Sequence, residues 1–302
     1  MSTVAVPGAA AAPRRARSTD LPVLLVAVVW GASYLAAKDV TTARTVLAVL
    51  VLRFALAVPV LVVAARRSLR ALTGAQWRGA ALLGLILSGI FLLETYGVVH
   101  TSATNAGLII SLTMVFTPLA ETAVTRTRPA PSFLGAAALS VLGVVLLTQG
   151  GGFTRPSAGD LLMLLAALAR TLHVLAMSRI RAVQTAAPLP LTTVQLGTAV
   201  VVFAALSAAG GPTPWATAAG FGVRDWAGLL FLSALCTVVA FFVQMWAVRR
   251  SSPSRVSLLL GTEPLWAAAA GLLLGGERLG ATGLAGGALV LVGTAWGRRA
   301  AD

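Results

Sequence analysis

The sequence predicts an all-α integral membrane protein, with ten transmembrane helices arranged as two inverted five-helix repeats. Hydrophobic residues make up 58% of the 302-residue chain and charged residues 11%, whereas a soluble domain carries about 25% charged residues to cover its surface. The charges stand in short groups between long apolar runs. The two halves are also weakly similar to each other when residue 101 is aligned with residue 251.

Ten apolar segments have the length of a membrane span, about 20 residues. They lie between charge clusters and Gly/Pro breaks, at 21–38, 45–65, 77–99, 102–125, 131–149, 158–177, 189–209, 225–247, 254–275 and 279–297. We expect the first repeat to cover 21–150 and the second 151–297. Residues 1–20 are expected to form a disordered cytosolic tail without a cleavable signal peptide, and 298–302 a short cytosolic C-terminal tail.

The basic residues predict the orientation in the membrane. Sixteen lysines and arginines lie in one alternating set of tails and loops and five in the other, with Arg53 and Arg170 inside spans. Because such residues concentrate in short cytoplasmic loops, both termini are expected to be cytoplasmic. The net charge of +14 is therefore a topology signal rather than a nucleic-acid surface. The single lysine suggests a GC-rich bacterial genome, so we expect a bacterial plasma (inner) membrane.

Several kinds of chemistry lack the residues that they need. Cys236 is the single cysteine, and His100 and His173 fall on different spans, so we expect neither a disulfide nor a metal site. The sequence has no Walker phosphate loop and no Gly-x-Ser-x-Gly motif. It therefore predicts a protein that is not an enzyme and needs no cofactor. Any movement of solute must be driven by a gradient or by exchange, or must be simple equilibration.

The internal repeat is clearest where one helix ends and the next begins. Residues 101–109 align with 251–259 and Gly143 aligns with Gly293, and Pro118 aligns with Pro264 once a four-residue shift is allowed in between. Each half holds five predicted spans, an odd number, so the two halves must have opposite orientations in the membrane. Inverted repeats are typical of secondary transporters, which bind their solutes between the two halves.

Three Gly-x-x-x-Gly patterns stand in the last two predicted spans, at Gly271/Gly275, Gly283/Gly287 and Gly293/Gly297. Such spacing lets two helices approach closely. We expect these patterns to pack the ninth helix against the tenth, with a homodimer contact as the lesser alternative.

Short motifs in both halves carry a resemblance to a known family. They are Val-Val-Trp-Gly-Ala-Ser-Tyr at 28–34, Glu-Thr-Tyr-Gly at 94–97, Thr-Ser-Ala-Thr-Asn-Ala-Gly at 101–107, Gly-Asp-Leu-Leu at 159–162, Glu-Pro at 263–264 and Gly-Glu-Arg-Leu at 276–279. In this order the chain, from about residue 21 to 297, resembles the drug/metabolite transporter superfamily, of the ten-helix type with two EamA domains. The sequence departs from the family pattern at Thr127, where Glu is common, at Glu94, where Gln is common, and at Arg170.

Five ionisable residues fall inside predicted spans: Arg53, Glu94, Glu121, Arg170 and Glu263. A charge at the bilayer centre costs at least ~2.5–3.5 kcal/mol on insertion scales, so such residues are candidates for function. The alternative is internal ion pairing, for example of Arg53 with Glu94. For Arg53 ion pairing is the better interpretation. For Glu121 the better interpretation is solvation or ion pairing. For Glu263 it is function, because this residue precedes a proline that kinks the helix. For Glu94 the two interpretations are balanced.

Helical spacing gathers polar residues on common faces. Trp30 and Tyr34 fall on one i, i+4 row, Asn105 and Thr117 fall on another, and Gln244 aligns with Glu94 in the repeat. Because polar groups are costly on a lipid-facing surface, these faces should turn inward, either to line a cavity or to bond helices together. The residues that we expect to bind a solute are Trp30, Tyr34, Glu94, Asn105, Thr117, Arg170, Gln244 and Glu263.

The resemblance implies a secondary transporter, gradient-driven or facilitative, that moves a small metabolite, an amino acid or a drug-like compound outward by alternating access. Trp30 and Tyr34 would contact this small-molecule substrate, Asn105 and Gln244 would orient it, and Glu94 or Glu263 would supply charge or take up a proton. Membrane lipid is the other expected partner, and nucleic acid is not one. The alternatives are a non-transporting membrane receptor or regulatory protein, and a lipid flippase.

Overall fold

The computed structural model describes residues 14–126, 128, 131–148, 156–250 and 259–301, and every regular element within these ranges is a helix. The helices are α1 (Arg14–Val40), α2 (Val46–Arg70), α3 (Gly74–Val99), α4 (Ala103–Ile110), α5 (Thr113–Thr125), α6 (Pro131–Thr148), α7 (Ala158–Arg179), α8 (Arg181–Gln184), α9 (Pro188–Ala208), α10 (Pro214–Ala219), α11 (Val223–Leu230), α12 (Ala240–Arg250), α13 (Glu263–Leu273) and α14 (Ala281–Ala301). A π-helical segment, Phe231–Val239, joins α11 to α12. The all-helical class predicted from the composition is confirmed.

Seven helical stretches of the described chain are long and apolar enough to cross a membrane. They are Asp20–Val40, Val46–Arg70, Gly74–Val99, Ala103–Val124, Ala158–Met177, Pro188–Ala208 and Val223–Gln244. Two shorter apolar helices, Pro131–Leu146 and Ala281–Gly293, lie at the predicted fifth and tenth spans. The predicted ninth span begins in residues outside the described ranges, so the count of ten stays a prediction.

Helix extends into both of the predicted tails, 1–20 and 298–302. The first helix begins at Arg14, seven residues before the predicted span, and α14 continues to Ala301. Residues 1–13, which make up most of the predicted disordered tail, lie outside the described part of the chain.

The bundle has an apolar outer surface and keeps polar groups inside. Large aliphatic side chains are widely exposed, among them Val63 on α2 and Val201 on α9, each 68% exposed. In contrast, Glu94 of α3 and Gln195 of α9 are buried. A helix in water has the reverse distribution, with its apolar stripe inward, whereas a helix in lipid must turn its polar groups toward protein.

The crossing of α6 and α14 makes the same contact from each half. A Cβ on Gly143 would lie 2.6 Å from the backbone N of Val290, and a Cβ on Gly293 would lie 2.8 Å from the backbone N of Ser140. Gly143 aligns with Gly293, and Ser140 aligns with Val290. Each glycine therefore contacts the residue that is equivalent, in the repeat, to the one contacted by the other glycine.

This crossing corrects the interpretation of the glycine patterns. Gly293 packs α14 against α6, and a Cβ on Gly271 would collide with the Thr104 side chain of α4. For Gly271 and Gly293 the prediction that the glycine patterns pack the ninth helix against the tenth is wrong. The reason is that α13 packs against α1 and α4, and α14 packs against α6, so both helices meet the first half of the chain instead of each other.

Two helices are interrupted at aligned positions. The span from Ala103 breaks at residues 111–112 before α5 resumes at Thr113, and a turn at 261–262 precedes α13, which begins at Glu263. The two turns are 150 residues apart, so residue 113 aligns with residue 263 and the four-residue shift expected from Pro118 and Pro264 is wrong at these turns. Interrupted helices expose backbone groups that intact helices satisfy internally, which is why transporters use them at binding sites.

Candidate binding cavity

A cavity of about 630 Å³ lies between the two halves of the chain. Its wall is formed by α1, α2, α3 and the start of α5 from the first half, and by α7, α9, α12 and α13 from the second. Cavities of roughly 300–1,000 Å³ enclose small organic molecules. Six of the eight residues predicted from the sequence line it, namely Trp30, Tyr34, Glu94, Arg170, Gln244 and Glu263.

The other two predicted residues, Asn105 and Thr117, are not among those that line this cavity. The Asn105 side-chain amide donates to Asp160 Oδ1 at 3.3 Å, and Thr117 Oγ1 lies 3.4 Å from Thr171 Oγ1. Both residues therefore join their helix to α7. The expectation that these two residues line the cavity fails because the face of α4 and α5 that carries them packs against α7.

Glu94 and Arg170 form an ion pair between α3 and α7. Arg170 Nε donates to Glu94 Oε1 at 2.5 Å, and the Glu94 side chain is 11% exposed. The suggested pairing of Arg53 with Glu94 is wrong, because α3 packs along α7 and thereby brings Arg170 to this carboxylate. Removing one member of such a pair leaves the other charge buried without compensation.

Glu263 is held by Tyr34 at the second helix interruption. The Tyr34 hydroxyl donates to Glu263 Oε1 at 2.7 Å. Glu263 is the first residue of α13, where free N–H groups and the helix dipole favour a carboxylate. The two helices approach closely, since a Cβ on Gly31 of α1 would lie 2.7 Å from the backbone N of Ala267. This packing fixes Tyr34 against Glu263.

Arg53 lines the cavity without a carboxylate partner among the described residues. Its Nε and Nη2 each donate to Thr237 Oγ1 at 3.4 Å. The guanidinium carbon lies 5.4 Å from the ring centroid of Phe54 and 5.3 Å from that of Phe91. Arg53 is thus held by two aromatic faces and one hydroxyl, and the interpretation of it as half of an ion pair is not what the structure shows.

Aromatic side chains complete the wall. The Trp30 indole donates to the Cys236 carbonyl oxygen at 2.9 Å, within the π-helical segment, and packs edge-on against Phe241 with ring centroids 5.8 Å apart. Phe91 lines the cavity from α3. These rings offer an apolar surface beside the charged groups.

Sequence reasoning missed Gln195 and left His173 aside. His173 Nε2 lies 2.9 Å from Gln195 Oε1, and both residues line the cavity. Gln195 could have been found as a polar residue in the middle of the predicted seventh span, the same signal that identified the intramembrane charges.

A polar cluster, Lys38, Thr101, Asp160 and Glu277, lies beyond one end of the cavity. Lys38 Nζ donates to the Thr101 carbonyl at 2.7 Å, and the Thr101 hydroxyl donates to Asp160 Oδ1 at 2.5 Å. The Glu277 carboxylate accepts the first N–H groups of α4, at 2.6 Å from Ala103 and 3.0 Å from Thr104. The cluster ties α1, α4, α7 and the α13–α14 connection together, and none of its members lines the cavity.

Known proteins share the sequence and fold of both halves. Residues 17–149 and 157–296 each match the model of the EamA-like transporter family. An uncharacterized transporter of Archaeoglobus fulgidus is 27% identical over 260 residues, which span 83% of this chain and 86% of that protein. A crystal structure described only as that of a protein superposes with a TM-score of 0.63 at 18% identity, over 93% of this chain and 96% of its own. The family resemblance predicted from the motifs is confirmed.

Proposed function

Because the chain belongs to the EamA-like transporter family, we propose that it is a secondary transporter that exports a small organic solute across the plasma membrane by alternating access. The observation that carries this proposal is the cavity of about 630 Å³ walled by both repeats. A site between two halves can be exposed to either side when one half rocks against the other.

The recurring contacts support an inverted repeat. Gly143 and Gly293 make the same contact from opposite halves, and the helix interruptions at 111–112 and 261–262 occupy aligned positions. Both interruptions lead directly into a residue that lines the cavity, Thr113 in one half and Glu263 in the other. Two halves with the same backbone can exchange conformations, as alternating access requires.

The charge distribution indicates which end of the cavity faces the cytoplasm. With the termini cytoplasmic, the polar cluster lies on the outer side, and the α7–α9 connection lies on the cytoplasmic side. The cavity wall extends to that connection, through Val183 and Pro188. The structure then corresponds to a state closed outside, and opening it outward requires the Lys38–Thr101 and Thr101–Asp160 hydrogen bonds to break.

Glu263 is the residue proposed to couple transport to a proton. Its carboxylate lies on the cavity wall, takes a hydrogen bond from Tyr34 and has no cationic side chain bonded to it among the described residues. In contrast, Glu94 is occupied by Arg170. A carboxylate that is not ion-paired is free to exchange a proton as the cavity opens to each side.

The test is extracellular metabolite profiling of cells that express the protein, its Glu263→Gln variant or its Glu121→Gln variant at matched membrane levels. Glu121 is the matched control, since it is an exposed carboxylate of α5 away from the cavity. We expect a compound that accumulates outside cells with the unmodified protein and with the Glu121 variant, but not with the Glu263 variant. Equal export by all three removes Glu263 from the mechanism, and no export by the unmodified protein contradicts the proposed function.

A further inference from the structure

The charges on the cavity wall do not all have partners. Four side chains that line the cavity are ordinarily charged, namely Arg53, Glu94, Arg170 and Glu263. The ion pair of Glu94 with Arg170 removes two of them, and Tyr34 donates to Glu263. Arg53 and Glu263 are therefore the two charged side chains of the wall that have no ion-pair partner among the described residues, and Arg53 is the cation of the two.

The protein satisfies little of the hydrogen-bonding capacity of Arg53. A guanidinium has five N–H donors in a planar fork. Two of these reach a single oxygen, Thr237 Oγ1, and both distances are 3.4 Å, long for a hydrogen bond. A cation at membrane depth is costly unless something compensates it, and the adjacent cavity has room for a compensating group.

The surroundings hold the guanidinium in place without neutralising it. Phe54 and Phe91 lie within cation–π distance of its carbon atom. Phe54 is fully buried and packs edge-on against Phe91, with centroids 4.7 Å apart. Because these rings are fixed by packing, the donor fork is ordered before any ligand binds, which lowers the entropy lost on binding.

We propose that Arg53 is an anion subsite, and that the solute carries a carboxylate bound by this guanidinium and an apolar body that packs against Phe91 and Trp30. This inference rests on the proposed function, whose solute it narrows to organic acids. Arginine matches a carboxylate with two parallel N–H···O bonds. The aromatic wall beside it excludes water from those bonds and accepts the apolar part of the solute.

The test measures binding of three aromatic probes of similar size and different charge to the purified protein in detergent, by isothermal titration calorimetry. The probes are phenylacetate, phenylacetamide and 2-phenylethylamine. We expect phenylacetate to bind roughly tenfold or more tightly than phenylacetamide, because hydrogen bonds to a charged group are the stronger ones, and 2-phenylethylamine to bind weakest. Equal affinity for phenylacetate and phenylacetamide, or no binding of phenylacetate, overturns the proposal.

Variants of Arg53 and of Thr237 test whether the preference for phenylacetate over phenylacetamide depends on the Arg53 side chain. Arg53→Met should abolish the preference for phenylacetate, and Arg53→Lys, which keeps the charge but not the fork, should retain part of it. Thr237→Val is the matched control, because it removes the hydroxyl partner and leaves the guanidinium, and it should keep the preference. A preference that survives in Arg53→Met overturns the proposal. If that variant does not fold, the partial loss expected for Arg53→Lys decides, and an unchanged preference there counts against the proposal.

The outcome can be separated from that of the proposed function. If cells export only neutral or cationic compounds, transport stands and the anion subsite fails. If the purified protein prefers phenylacetate through Arg53 but no cell exports any compound, the subsite stands and the transporter proposal fails.

Discussion

The two helix interruptions have the same backbone and different chemistry. In the first half the Leu112 N–H donates to the Ile109 carbonyl at 3.1 Å, and in the second the Thr262 N–H donates to the Leu259 carbonyl at the same distance. Each helix then resumes at the next residue, and that residue lines the cavity. The first half places a threonine there and the second a glutamate. The repeat therefore supplies the shape of the site, and single side chains supply its charge.

A second aligned pair differs in the same way. Glu94 on α3 aligns with Gln244 on α12, and both line the cavity. Glu94 is ion-paired to Arg170, whereas Gln244 is a neutral amide. Symmetric architecture thus carries an asymmetric distribution of charge, and substitutions at aligned positions should have unequal effects.

The largest difference is expected between Glu263→Gln and Thr113→Val. Loss of the carboxylate should lower export by about tenfold or more, in line with the strength of interactions with charged groups. Thr113→Val should change export by less than about twofold, because the Thr113 hydroxyl donates to the Ile110 carbonyl of its own helix at 2.8 Å. Export rates at matched expression measure this difference. Equal losses of export in the two variants would contradict the unequal roles of Glu263 and Thr113.

The ion pair should give the next largest effect, on stability. Arg170→Met leaves Glu94 buried and unpaired, which costs about 3 kcal/mol, the lower end for a buried pair, because the Arg170 side chain is 34% exposed. Gln244→Ala, at the position aligned with Glu94, should cost clearly less. Thermal unfolding in detergent measures both, and the double variant Arg170→Met with Glu94→Gln should recover part of the loss. If Arg170→Met alone were as stable as the double variant, an unpaired Glu94 would not be the cause of the loss.

The helix crossing should respond equally from both sides. Gly143→Ala and Gly293→Ala each add a methyl group where the opposite helix backbone lies within 3 Å, and overpacking of this kind costs about 1–3 kcal/mol. The two shifts in unfolding free energy should therefore be similar in size. Gly89→Ala is the control, since a Cβ there meets nothing within 4 Å. If one of the two substitutions left the unfolding free energy unchanged, the contact would not be shared by the two halves.

The smallest effect is expected at the polar cluster. Glu277→Gln weakens the cap that its carboxylate provides to the α4 N-terminus and should lower the unfolding free energy by about 1 kcal/mol. The aligned residue of the first half is Thr127, which lies outside the described residues and has no carboxylate to lose. Thr127→Val should therefore be close to neutral. Hydrogen exchange of the α4 amides measures the first effect directly, and unchanged protection there would contradict it.

Much of the site could be predicted without the fold. Trp30 and Tyr34 fall one helical turn apart, so they share a face, and Glu94, Arg170 and Glu263 stand out because charges are rare at membrane depth. Asn105 has the same spacing signal, yet it bonds to Asp160 instead. The difference is that α4 packs against α7 at Asn105, and the packing of distant helices cannot be read from periodicity within one apolar stretch.

The sequence by itself determined the helical class, the family and the side chains that avoid lipid, because these follow from composition, periodicity and local motifs. The tertiary structure alone decided the partners. Arg170 meets Glu94 across 76 residues of chain, and Tyr34 meets Glu263 across 229, while Arg53 is left without a carboxylate in the described chain. Helical periodicity fixes the face that a side chain shares with its neighbours in sequence. The crossing of distant helices fixes the group that it meets, and a charge can be neutralised only by that group.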